Sequence, residues 1–164
     1  MKNDNNGETP LILACKIQNE AIVKYLLEHG ANVDSKNCFG ETALYYACSK
    51  KNENIVQYLL EHGADINKEN KYGETPLFSA CYYGNEAIVK YLIEHGANIN
   101  KENEYGETPL FDACNRGNEK VAKYLIEHGA NINKINKEGN TPLWSARNMN
   151  KQKIVDYLVE HGAK

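Results

Sequence analysis

The pentapeptide Gly-Glu/Asn-Thr-Pro/Ala-Leu opens five segments of this chain, and each segment closes on Tyr-Leu-(Leu/Ile/Val)-Glu-His-Gly-Ala. Gly7, Gly40, Gly73, Gly106 and Gly139 fall 33 residues apart, and Thr9, Thr42, Thr75, Thr108 and Thr141 keep the same spacing. A fixed period of that length demands a stacked array, in which each unit buries its apolar face only against its neighbours. Most other readings of the sequence are constrained by that period.

The clearest copy runs from Asn70 to Glu102. Thr75 is placed to cap a helix with its hydroxyl, and Pro76 follows at the first helical position, where its missing N–H costs nothing. Gly84 is expected to stop that helix and Asn85 to cap a second one. The second helix ends after Tyr91-Leu92-Ile93-Glu94-His95 at Gly96, which supplies a left-handed residue. The stretch from Ala97 to Gly106 is rich in turn formers and reads as an extended turn between helical hairpins.

With those residues assembled, the chain resembles the ankyrin repeat family in its unit length, its Gly-x-Thr-Pro-Leu opening and its Gly-Ala-(Asp/Asn)-(Val/Ile)-(Asn/Asp) ending. The resemblance implies an all-α ankyrin-repeat solenoid of stacked helix-turn-helix units with extended inter-repeat turns. Residues 1–164 are read as a single domain, with repeats at about 4–36, 37–69, 70–102, 103–135 and 136–164. One departure from the family stands out. The position after Thr-Pro-Leu, usually His, holds Ile12, Tyr45, Phe78, Phe111 and Trp144, a row expected at the edge of the core.

Composition narrows the function. The net charge of −3 comes from interspersed charges of both signs, which gives no footprint for nucleic acid or an anionic membrane. No apolar run approaches the roughly 20 residues of a membrane span. Cys15, Cys48, Cys81 and Cys114 occupy one repeat position, so helix packing separates neighbours by roughly 8–10 Å. That exceeds the ~7 Å limit for a disulfide. They are expected as reduced core residues, with Cys38 alone in a turn. The 22 asparagines form no Asn-x-Ser/Thr acceptor. Together these features point to an intracellular, reducing location, cytoplasmic or nuclear.

Catalysis needs unlike groups converging on one point, out of phase with the repeat. None stands out. His29, His62, His95, His128 and His161 share one position before a helix-terminating glycine, where imidazole suits the helix C-terminus. No catalytic residue, metal set or cofactor is expected. Along the second helices, Glu20–Lys24, Glu86–Lys90 and Glu119–Lys123 stand as scaffold pairs at i,i+4.

Function in an array is expected where the copies differ. Repeats three and four diverge at Ser79/Asp112, Tyr82/Asn115 and Tyr83/Arg116, among other positions. Leu77, Ala80 and Cys81 are expected inward, leaving Ser79, Tyr82 and Tyr83 on the outward face of the first helix. The matching face elsewhere carries Tyr46, Ser49 and Lys50, then Asp112, Asn115 and Arg116, then Ser145, Asn148 and Met149. By resemblance, first helices and turn tips line one concave surface. The tips add Phe39, Tyr72 and Tyr105, with Glu41, Glu74 and Glu107 two residues on. Tyrosines and arginine are the usual interface anchors. The alternative for Asp112 and Arg116 is a simple i,i+4 ion pair.

The reading is therefore a non-catalytic protein-interaction module that binds a partner protein through Phe39, Tyr46, Lys50, Tyr72, Glu74, Tyr82, Tyr83, Tyr105, Glu107, Asp112, Asn115 and Arg116. Two alternatives are the targeting fragment of a larger enzyme or effector, and an engineered or consensus-like scaffold. A monomer is expected, with end-to-end association through the N-terminal repeat as the variant. That repeat places Leu13 and Ile17 on its outward face and looks uncapped. Amide hydrogen exchange should be fastest in residues 4–30 and slowest in repeats three and four, since opening an end breaks one interface and opening the middle breaks two. Uniform protection in a monomer shown by light scattering contradicts this.

Overall fold

The computed structural model describes residues 6–164 and contains, among them, ten helices and no strand. They are α1 (Pro10–Lys16), α2 (Glu20–Glu28), α3 (Ala43–Ser49), α4 (Glu53–Glu61), α5 (Pro76–Tyr83), α6 (Glu86–Glu94), α7 (Pro109–Arg116), α8 (Glu119–Glu127), α9 (Pro142–Asn148) and α10 (Gln152–Glu160). Each odd helix packs on the even helix that follows it, and like helices stack in two rows, α1 to α9 and α2 to α10. The start of repeat one expected at Asp4 lies outside the described residues.

The row of first helices packs through small side chains. Ala47, Cys48, Ala80, Cys81, Ala113 and Cys114 are wholly buried between neighbours. All five cysteines are free, the four repeat-phased ones buried and Cys38 exposed. Burial pushes the Cys15 and Cys114 thiols up to about 12, so they stay protonated apolar filler. The second helices contribute Ile55, Val56 and Leu59, then Ile88, Val89 and Leu92, to the same continuous cluster.

The structure corrects three local expectations. Thr9, Thr42 and Thr141 accept the N–H three residues on, as expected of caps, but Thr75 and Thr108 make no such bond. In α5 and α7 the first turn tightens, and Phe78 and Phe111 donate their N–H groups to the backbone carbonyls of Thr75 and Thr108, at 3.0 and 2.9 Å. The donors the hydroxyls would accept are already taken, and both hydroxyls remain buried without a partner.

Likewise Asn19 and Asn52 cap α2 and α4, whereas Asn85 and Asn118 do not cap α6 and α8. Their amides turn back to the preceding repeat. Asn85 Nδ2 donates to the Cys48 carbonyl, and Asn118 Nδ2 donates to those of Cys81 at 2.7 Å and Tyr82 at 3.1 Å. Third, of the scaffold pairs only Glu86–Lys90 forms, at 2.8 Å. Lys24 and Lys123 reach instead over the Tyr58 and Tyr157 rings of the next repeat.

The outward face is also narrower than helical periodicity implies. Ser79 is buried because α5, in mid-stack, is covered by its own second helix and by first helices on both sides, and Ser145 is buried on α9 with α7 and α10 packed against it. In α5 every residue from Pro76 to Cys81 is buried. Of the row expected at the core edge, Ile12, Phe78 and Phe111 are fully buried and Tyr45 half-buried. Trp144 departs from it at 49% exposed, since among the described residues no repeat stacks beyond it.

Gly84 and Gly117 end α5 and α7 in the left-handed region, and Gly96 closes α6 at φ +93. The positions matching Gly84 in repeats one, two and five hold Gln18, Lys51 and Asn150, with φ of 57, 61 and 53. A side chain there costs about 1 kcal/mol against glycine. Lys51→Gly is therefore expected to stabilise the fold by about 1 kcal/mol, raising the melting midpoint by roughly 2–4 °C. An unchanged or lower midpoint in thermal unfolding contradicts that account.

Candidate partner-binding face

Each turn tip is held by one buried asparagine. The Oδ1 of Asn70 accepts the Tyr72 N–H at 2.8 Å and the Glu74 N–H at 3.0 Å, while its backbone N–H donates to the Glu74 carbonyl at 2.9 Å. Asn37, Asn103 and Asn136 make the same side-chain bonds in their own tips. Successive tips are then joined edge to edge. Lys71, Glu104 and Lys137 donate backbone N–H groups to the carbonyls of Phe39, Tyr72 and Tyr105 at 2.8–2.9 Å.

This frame aims the tip carboxylates at the first helices. Asn70 Nδ2 and the Tyr45 hydroxyl both donate to Glu74 Oε2 at 2.9 Å. Asn37 Nδ2 and the Tyr46 hydroxyl both donate to Glu41 Oε2. Burial first, then the neighbouring glutamates, raise the pKa of the Tyr45 and Tyr46 hydroxyls, so both remain donors.

Between α3, α5 and α7 these side chains border a groove of about 390 Å³. Its walls are four tyrosines (Tyr45, Tyr46, Tyr82, Tyr83), three carboxyl groups (Glu41, Glu74, Asp112), Phe78, and the serines Ser49 and Ser79, with no Lys, Arg or His. Tyr82 and Tyr83 meet edge to face at 5.0 Å. Arg116 does not pair with Asp112; its guanidinium lies 3.6 Å above the Tyr82 ring. Asp112 has no hydrogen bond or ion pair among the described residues, and its pKa is pushed up to about 8, by burial first and then by Glu74 and Glu107.

Of the residues singled out in the sequence, the groove unites Glu41, Tyr46, Ser49, Glu74, Ser79, Tyr82, Tyr83 and Asp112. Phe39, Tyr72 and Tyr105 stand outside it as exposed rings along the tips. Lys50 is exposed at the end of α3, Asn115 is half-buried on α7, and Glu107 accepts from Asn136 Nδ2 at 3.1 Å. Tyr45 and Phe78 line the groove although periodicity assigns them to the edge of the core.

The histidine row serves the helix ends. In His29, His62, His95, His128 and His161, Nδ1 lies 2.7–2.8 Å from the carbonyl oxygen of the tyrosine four residues back. A carbonyl only accepts, so Nδ1 carries the proton. Each imidazole also lies against that tyrosine's ring at 3.8–4.1 Å. Among the described residues no three His, Cys, Asp or Glu side chains form a group that could hold a metal, and no helix is long and apolar enough to cross a membrane.

A family model described as ankyrin repeats (3 copies) matches residues 1–70, 34–103, 65–136 and 97–164 in overlapping registers. No curated protein is found to match the chain.

Asp112 makes the fold sensitive to pH in an unusual direction. Its folded pKa lies above that of a carboxyl group in the unfolded chain, so between about pH 4 and 8 the folded state holds a proton that the unfolded state releases. This contribution to stability is lost as pH rises through that window. Asp112→Asn, which cannot ionise, should melt progressively higher than the parent protein as pH goes from about 5 to about 8. Parallel melting curves for the two proteins over that range would show that Asp112 titrates normally.

Proposed function

The chain belongs to the ankyrin repeat family, and from that premise we propose that it is a non-catalytic scaffold that grips a partner protein along its first helices and turn tips. Ankyrin repeats are generally protein–protein interaction modules, and the family is typically non-catalytic. The observation that carries the assignment to this face is the tyrosine-rich groove, because it lies where repeats two, three and four present different side chains in the same frame. Tyr82 and Tyr83, exposed by 37% and 53%, offer large area with few rotatable bonds. The tips, tied to one another through their backbones, hold these rings in place before a partner arrives, so little conformational entropy is lost on binding.

In this reading the protein works as one module in a reducing compartment, where its five free cysteines stay thiols. The partner is a protein, with no part for nucleic acid or membrane. Replacing Tyr82, Tyr83 and Arg116 together by alanine should weaken capture of the partner from a lysate by at least about tenfold, since such anchors typically carry 2 kcal/mol or more. Circular dichroism confirms that the variant is folded. Equal capture by the folded variant would place the binding face elsewhere.

A further inference from the structure

We propose that the groove between α3, α5 and α7 seats a basic side chain, arginine or lysine, presented by the partner protein. This inference rests on the function proposed above and specifies the chemistry of its central contact. The groove is lined by three carboxyl groups and by no Lys, Arg or His; the two cations beside it lie over its tyrosine rings, Lys16 at 4.4 Å from Tyr46 and Arg116 at 3.6 Å from Tyr82, and Lys16 is paired with Glu8. In Glu41 and Glu74 the bonds from asparagine and tyrosine fall on Oε2 alone, leaving Oε1 of each without a hydrogen bond among the described residues.

Two further groups are left over inside. Ser79 is only 2% exposed, its Oγ has no hydrogen-bond partner, and it lines the groove. Asp112, half-buried at the matching position of α7, has neither a hydrogen bond nor an ion pair among the described residues. Buried polar groups without partners are costly, and a ligand that donates to them recovers that cost.

The walls identify the donor as a side chain rather than a bare ion. Four tyrosines line the groove, and aromatic walls suit a charged head carried on a methylene stem. The protein's own Arg116, stacked at 3.6 Å on Tyr82, shows the geometry at the rim of the same groove. Guanidinium fits best, because its planar fork can stack on a ring and donate to a carboxylate at once.

A bound cation would also draw the Asp112 proton off, so binding strengthens as pH rises toward the pKa of about 8. The groups coupled to Asp112 are Glu74 and Glu107 from the tips, Tyr45 of α3 and Cys81 of α5. α8 packs against α7 through Val121, Ala122 and Leu125, α9 places uncharged Ser145 at the matching position, and Arg116 one turn on is engaged with Tyr82.

The test is a titration of the ¹⁵N-labelled protein at low salt with acetyl-Gly-Arg-Gly-amide, compared with the same peptide carrying neutral citrulline. Saturable shifts are expected at the amides of Ser79, Tyr83 and Asp112, stronger at pH 8 than at pH 6.5. The citrulline peptide should bind about tenfold more weakly, as should the arginine peptide to Asp112→Asn and to Glu74→Gln, whose own spectra report that they are folded. Equal shifts from both peptides, no saturable shift at these amides, or an undiminished response in both variants overturns the proposal. So does ethylammonium acting as strongly as the peptide, which would assign the groove to small cations. Loss of partner capture in the Tyr82, Tyr83 and Arg116 alanine variant alongside a silent arginine titration would retain the binding face and remove only this contact.

Discussion

The amide of a buried asparagine is the contact on which the array's surface depends. A tip that turns through Gly40, Gly73 or Gly106 leaves several backbone groups unpaired, and a buried N–H without a partner costs about as much as a lost hydrogen bond. Asn37, Asn70 and Asn103 meet that demand with a single oxygen that accepts two N–H groups. The Nδ2 of Asn37 and Asn70 then reaches the carboxylate of the same tip. One side chain thus closes the turn and orients Glu41 or Glu74 toward the groove. A second set of asparagines does comparable service on the other side of the repeats, where Asn67, Asn100 and Asn133 accept an N–H from the next repeat and donate to the carbonyls of Gly96, Gly129 and Gly162. The abundance of asparagine follows from this wiring.

The electrostatics of the groove depend on hydroxyls that stay protonated. Because burial and neighbouring glutamates raise the tyrosine pKa values, Tyr45 and Tyr46 keep donating to the carboxylates they hold. These donors are neutral and fix the carboxylates in space. Asp112 has no such donor among the described residues, and burial first, then Glu74 and Glu107, make it hold its proton more tightly. Two neighbouring acids are thereby fixed in place by neutral donors and a third is held without one, a division produced by surroundings and not by residue type.

The array was legible in the sequence because its signal is repeated: period, helix order, helix ends and the four buried cysteines all follow from residues that recur in phase. What escaped periodicity was anything decided between repeats. Ser79 has the spacing of an outward residue, and only stacking on both sides buries it. Thr75 and Asn85 carry the side chains of caps, and a tightened first turn and a carbonyl of the preceding repeat take their bonds away. Tyr45 and Phe78 belong to the row read as core edge, so repetition hid their place in the groove; the signal that could have found them is their neighbourhood, a phenol and a phenyl ring brought beside the variable Tyr82, Tyr83 and Asp112.

The diverted asparagines have a consequence for how the array holds together. A repeat whose asparagine caps its own second helix, as Asn19 and Asn52 do, keeps that hydrogen bond whether or not a neighbour is present. Asn85 and Asn118 spend theirs on the repeat before, and Asn118 lies across Gly84 so closely that a Cβ there would meet its Oδ1 at 2.6 Å. Free energy that would belong to single units is moved into the junctions between them. In a linear array, weak units joined by strong junctions form and dissolve together, whereas strong units joined weakly come apart one at a time. In this chain those bonds lie at the junctions between repeats two and three and between three and four, so the repeats that line the groove are tied to one another.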